Sequence, residues 1–177
     1  MLILTACGEK PAFGGMQQPT TQRVPARPGQ TMSHGISFEK IQSAKVIHLL
    51  SVEPVSKSPS LQVVEVVAFR PSELGAMILS DQYPPIVFPG HVFDPHPIGD
   101  VSLQPQEIPD WQILVALRSD SIGLHRVRHL RVTYEVGGET QSQIWPYVLE
   151  LEVVDCSITA RQQEFVCRGE PIKPRSS

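Results

Sequence analysis

The run His129-Leu-Arg-Val-Thr-Tyr-Glu-Val-Gly-Gly-Glu139 decides the fold class. Leu130, Val132, Tyr134 and Val136 alternate with His129, Arg131, Thr133 and Glu135, the period of two that a half-buried strand requires. Gly137-Gly138 follows at once, and paired glycines supply the positive φ angles of a two-residue hairpin turn. Residues 139–145 form the returning strand, which Pro146 ends or bulges because proline has no amide hydrogen for the ladder.

The same texture extends on both sides. In residues 147–155, Tyr147, Leu149, Leu151 and Val153 share one parity and Val148, Glu150, Glu152 and Val154 the other, so the glutamates mark a solvent-facing sheet surface. Upstream, Trp111, Ile113, Val115 and Leu117 define an inward face led by a large aromatic. Residues 45–55 and 61–69 are rich in Val, Ile and Leu; the second is apolar on both parities and is expected centrally in a sheet. Residues 71–80 permit one helical turn, with Pro71 at its start and Glu73 favoured by the helix dipole. Prolines 84, 85, 89, 95, 97, 105 and 109 make residues 84–110 an extended connection with edge pieces. About seven strands are thus expected between residues 45 and 155. They predict an all-β, immunoglobulin-like two-sheet antiparallel sandwich, without the Cys-Trp-Cys spacing of antibody domains.

Composition agrees. The 177 residues suit one domain, and 17 prolines argue against a helix-dominated chain. Hydrophobic residues at 41% against 19% charged indicate a globular chain, and a net charge of −3 carries no electrostatic footprint for nucleic acid.

Catalytic patterns are absent from the linear sequence: no GxSxG, no GxGxxG and no phosphate loop. Serines 51, 56, 58 and 60 read as strand-end and turn residues. Glu107 with Asp110, and Glu150 with Glu152, read as solvated surface. No enzyme is expected.

His91, Asp94 and His96 place three metal-ligating types within six residues of the proline-rich loop, a set suited to zinc or copper. Nothing in the sequence orients them, so no metal or other cofactor is expected; a metal-binding envelope protein using this loop is the alternative function. His125 and His129 fall on one side of a strand, two pleats apart. Arg126 and Arg128 share parity with Leu130, so they are expected at the domain rim, where with Arg131 they form a basic patch. Tyr83, Phe88 and Phe93 are loop aromatics that either cap the sandwich or anchor a partner.

Residues 8–42 carry Pro11, Pro19, Pro25 and Pro28 with Gly14, Gly15 and Gly29 and no period, the composition of a linker. Deleting residues 8–40 is expected to leave the unfolding of the domain nearly unchanged.

At the start of the chain, Leu4-Thr5-Ala6-Cys7 resembles the lipobox of bacterial lipoproteins. The resemblance implies a diacylglyceryl group on the Cys7 thiol, cleavage before Cys7, and a cell-envelope protein held to a membrane by that lipid and facing away from the cytoplasm. Only six residues precede Cys7, none of them Lys or Arg, whereas a secretory signal needs a positive region and 7–15 apolar residues; the start is therefore expected upstream of Met1. An unlipidated protein of the same composition would have an ordinary disordered tail. With Cys7 set aside, Cys156 and Cys167 remain as an even pair, expected to form a disulfide in an exported protein. The expected map is a signal remnant over 1–7, a spacer over 8–42, a sandwich over 43–170 and a tail over 171–177. The expected function is a lipid-anchored envelope protein whose sandwich is a non-catalytic binding or structural module, with an envelope protein as the partner class.

Overall fold

Two β-sheets pack face to face across one apolar core. The computed structural model describes residues 12–13, 20–87, 89–158 and 165–167, with residues 80, 156–158 and 165–167 described by backbone alone. The strands of the first half are β1 (Thr20–Ala26), β2 (Thr31–Ser37), β3 (Ile47–Lys57), β4 (Gln62–Phe69) and β5 (Ser80–Gln82), with the single-turn helix α1 (Pro71–Leu74) before β5. The second half adds β6 (Ser102–Leu103), β7 (Gln112–Arg118), β8 (Gly123–Val136), β9 (Glu139–Val153), β10 (Cys156–Ile158) and β11 (Phe165–Cys167).

One sheet runs β1-β9-β8-β3-β6 and the other β4-β7-β2-β5, while β10 and β11 form a separate ribbon. The segments β2-β7-β4 and β3-β8-β9 reproduce the split of an immunoglobulin-like sandwich, in which strands exchange sheets rather than pairing in simple sequence order. Leu49 and Val52 of β3, Ile113, Val115 and Leu117 of β7, Leu130 and Val132 of β8, and Leu149, Leu151 and Val153 of β9 meet in the core. The expected β8–β9 hairpin is present, with Gly137 at φ 62° and Gly138 at φ 84° in its turn.

Several expectations are corrected. Residues 20–37, assigned to a spacer, form two strands, and β2 lies between β7 and β5 inside a sheet. The sandwich is not wholly antiparallel, because β1 pairs parallel with β9 from Thr20↔Tyr147 to Ala26↔Val153. Residues 45–155 hold the seven strands expected there, β3 to β9, and β1, β2, β10 and β11 lie outside that span. The two strands expected on either side of Pro146 are one continuous β9: Pro146 and Tyr147 together stand opposite His129, a bulge that absorbs the missing amide hydrogen.

That bulge also changes which residues point inward. His129 takes φ 60°, and the alternation shifts by one, so His125 and Val127 join the buried face while Arg126 and Arg128 lie on the same outer face as Arg131. His125 is consequently buried and His129 exposed, not side by side. A second shift, at Val64 in β4, explains that strand's two apolar faces. Leu61, Val63, Val66 and Ala68 turn to the main core; Val67 and Phe69 turn outward to a second cluster with Leu74, Ile78 and Leu114. β4 is therefore an edge strand, and its outer face is apolar because the chain that follows it folds back over the sheet.

Candidate functional site

That returning chain, residues 71–98, is the candidate site, since it holds the sequence-selected histidines and aromatics. Its central strap is fixed at Ile78. The buried Gln112 amide accepts from the Ile78 amide nitrogen at 2.9 Å through Oε1 and donates to the Ile78 carbonyl at 2.6 Å through Nε2. Gly35 makes room beneath: a Cβ there would lie 1.7 Å from the Ile78 carbonyl oxygen. The Gly35 amide donates to the Leu79 carbonyl at 3.0 Å, after which β5 pairs with β2.

Because Ile78 points into the second cluster, its neighbours point out. Met77 is 60% exposed, Leu79 71% and Ile86 69%. They rim a groove of 340 Å³ floored by Leu74, Ile78 and Val87. Large apolar side chains gathered on a pinned segment and left in solvent are a feature of binding surfaces. Tyr83 steadies the far end of the strap by donating its hydroxyl to the Glu65 carboxylate on β4. Burial, then that carboxylate, pushes the Tyr83 phenol well above its ordinary range. Phe93 closes on Phe69 and Tyr83, as expected for a capping aromatic; Phe88 lies outside the described residues.

The histidine loop does not assemble as three converging ligands. His91 Nδ1 lies 3.0 Å from the Glu73 carbonyl oxygen. His96 is tied to β4 by two backbone hydrogen bonds with Ala68, and its Nε2 stands 4.0 Å from both Glu73 and Asp94 carboxylates. Its ring meets the edge of Trp111 at 5.2 Å, and the Arg70 guanidinium lies 4.6 Å over the same indole. Trp111, expected to lead an inward face, therefore sits half-buried at the rim; the fully buried indole is Trp145. Among the described residues no group of three His, Cys, Asp or Glu side chains is placed to hold a metal ion.

Of the arginine patch, Arg126 is ion-paired with Glu150. Glu150, read as solvated, has a side chain only 5% exposed because two arginines cover it: Arg23 Nε of β1 at 2.7 Å and Arg126 Nε of β8 at 2.6 Å. Hydrogen bonds from Arg126 and then Arg23 hold its carboxyl below the ordinary range. Arg131 stands in register with Glu53.

Two buried histidines were not legible as such in the sequence. His125 is bracketed by turns, its Nδ1 3.1 Å from the Ser60 hydroxyl and its Nε2 2.7 Å from the Ser121 carbonyl oxygen. This serine–histidine contact pins the 57–61 turn to the 119–123 turn, and among the described residues no carboxylate is bonded to the ring. His34 shares the inward face of β2 with Met32 and Ile36, is fully buried, and has no hydrogen-bond partner on either nitrogen among the described residues. Burial lowers its pKa to about 4, so it is neutral at pH 7.

Cys7 and the tail 171–177 lie outside the described residues. The backbone places Cys156 directly opposite Cys167 in the β10–β11 ribbon.

No protein-family model matches the chain, and no curated protein matches it. Among solved structures, that of the Vibrio cholerae VesB protease is similar over 75% of this chain and 30% of its own, at 10% identity and a TM-score of 0.40.

Proposed function

We propose that the chain is a lipid-anchored cell-envelope protein whose sandwich serves as a non-catalytic binding module for an envelope partner. Its membrane attachment is the lipid on Cys7, within Leu4-Thr5-Ala6-Cys7. The observation that carries the export half of this proposal is the Cys156↔Cys167 register. Opposed residues of an antiparallel pair have Cα atoms about 4.5–5.5 Å apart, inside the range of about 4.4–6.8 Å that a disulfide spans. A cross-strand disulfide suits an oxidising compartment. The binding half rests on the strap, where Met77, Leu79 and Ile86 stay in solvent on a segment that Gln112 holds in place.

Expression with the native upstream region, followed by membrane fractionation and intact mass under non-reducing conditions, tests the proposal. Diacylglyceryl mass on a chain beginning at Cys7, with two fewer hydrogens for the Cys156–Cys167 bond, is the expected result. Unlipidated protein in the cytosol with three free thiols would overturn it.

A further inference from the structure

The lipid anchor and the sandwich are joined by much less free chain than the composition of residues 8–42 implies. Phe13 is built into the domain: its ring is buried, edge-on to Tyr134 at 5.0 Å and to Trp145 at 5.3 Å, with Phe38 at 6.2 Å. Its backbone bridges Ile41, and the Ala12 carbonyl accepts from the amides of Gln42 at 3.1 Å and Ser43 at 3.3 Å. The backbone contacts lie at one end of the sandwich, where Ala12 lines a recess with Lys45, Gly137 and Glu139 beside the β8–β9 turn, and Trp145, in register with Leu130, meets Phe13 from further along the sheet. The other end carries the 57–61 turn, because β3 leaves its pairing with Val136 at Ile47 and reaches Val127 at Lys57. Nine residues of β8 separate those two levels, about 30 Å at the usual strand rise.

Six residue steps separate Cys7 from Phe13, and a fully extended chain covers at most about 3.6 Å per residue, so the lipid lies within about 20 Å of the Phe13 hook. Resting on the lipoprotein proposal above, we infer that the sandwich stands on the bilayer by its β8–β9-turn end, with the 57–61 turn held away from it. The surface presented to the membrane includes Ile108, 75% exposed and the barest large apolar side chain among the described residues, next to the Glu107 carbonyl that accepts from Ile41. Exposed Lys40 and Lys45 there are offset by Glu39, Glu107 and Glu139, so the short tether rather than charge sets the orientation, and neutral lipid suffices.

The test uses the full lipidated chain in phosphatidylcholine vesicles containing rhodamine-labelled phosphatidylethanolamine. A donor dye is attached through a clickable noncanonical residue at position 44, on the hook end, or at position 59, on the opposite end; both positions are exposed. Energy transfer to the vesicle surface is expected to be at least twofold greater from position 44. Phe13→Ala frees the chain back to Thr20, thirteen steps from Cys7 and about 45 Å of reach, and the two efficiencies should converge. Inserting fifteen Gly/Ser residues after Cys7 should do the same with the aromatic cluster intact. Equal transfer from both positions in lipidated protein, or an asymmetry untouched by the insertion, overturns this orientation and leaves the lipoprotein proposal standing; a chain without lipid on Cys7 overturns both.

Discussion

His34 is a neutral imidazole kept in an apolar core, and its cost depends on pH. Folded, it stays unprotonated down to about pH 4, whereas in the unfolded chain it takes a proton near pH 6.5. The unfolded state binds more protons between those values, so stability falls as pH drops through about 6.5 and the loss levels off near the folded pKa, at about 3 kcal/mol. Urea unfolding of His34→Leu should show that slope flattened; a slope identical to that of the parent would refute the assignment. Glu150 acts in a lower window. Its depressed folded pKa makes its contribution present above the ordinary carboxylate range near pH 4.3 and lost as pH falls through the folded value. Glu150→Gln should therefore lower the urea midpoint at pH 7, with the difference shrinking below about pH 4. His129 carries backbone strain at φ 60°. His129→Gly should raise stability by up to about 1 kcal/mol and His129→Val lower it by about 1–2 kcal/mol, read from thermal melts.

At the level of the element, the strap is an auxiliary layer pinned at one residue. Gly35→Ala drives a methyl into the Ile78 carbonyl, and an overpacking cost of about 1–3 kcal/mol is expected. Gln112→Ala strips the Ile78 amide and carbonyl of their buried partner, at about 2 kcal/mol. Faster hydrogen exchange confined to residues 76–82 and to Val67 and Leu114 would mark release of the strap in both variants, while global unfolding without that local step would argue against it. The edge of β4, and the part of β3 beyond its two-residue pairing with β6, are better guarded. β3 carries a bulge at Leu50 together with Pro54, and β4 carries its bulge at Val64 beside Glu65. Irregularities of this kind discourage pairing with foreign strands.

For the whole molecule, the first strands are structural. β2 pairs with β7 along seven residues and with β5 on its other side, so a chain lacking residues 8–40 is expected to be unfolded by circular dichroism, and one beginning at Ala12 to retain the domain. Alternation made the β8–β9 hairpin and β7 legible because each has one plain inward face. β2 was hidden by its own composition: Ser33, His34 and Gly35 are polar or small and yet buried, since the strap covers the face on which Ser33 and Gly35 lie. β1 offers only Val24 and Ala26 to the interior, too few to show a period. The bulges at Val64 and at His129 shift the register by one residue with no compositional mark, so parity counted across them groups Arg126 and Arg128 with Leu130, and Val67 and Phe69 with Leu61 and Val63, although the fold puts them on opposite faces. The Glu150 and His125 clusters join residues up to 127 positions apart, a proximity that only the fold creates.

The parallel pairing of β1 with β9 has a mechanical consequence. The chain enters β1 at Thr20 and leaves β9 at Val153, at opposite ends of a seven-pair ladder. Tension between a fixed point before Thr20 and a load after Val153 pulls the two strands past one another along their length. All the cross-strand bonds then bear the force together, instead of opening in succession like a zipper. A domain moored on one side and tugged on the other would yield only at high force, because β1 and β9 form a shear clamp.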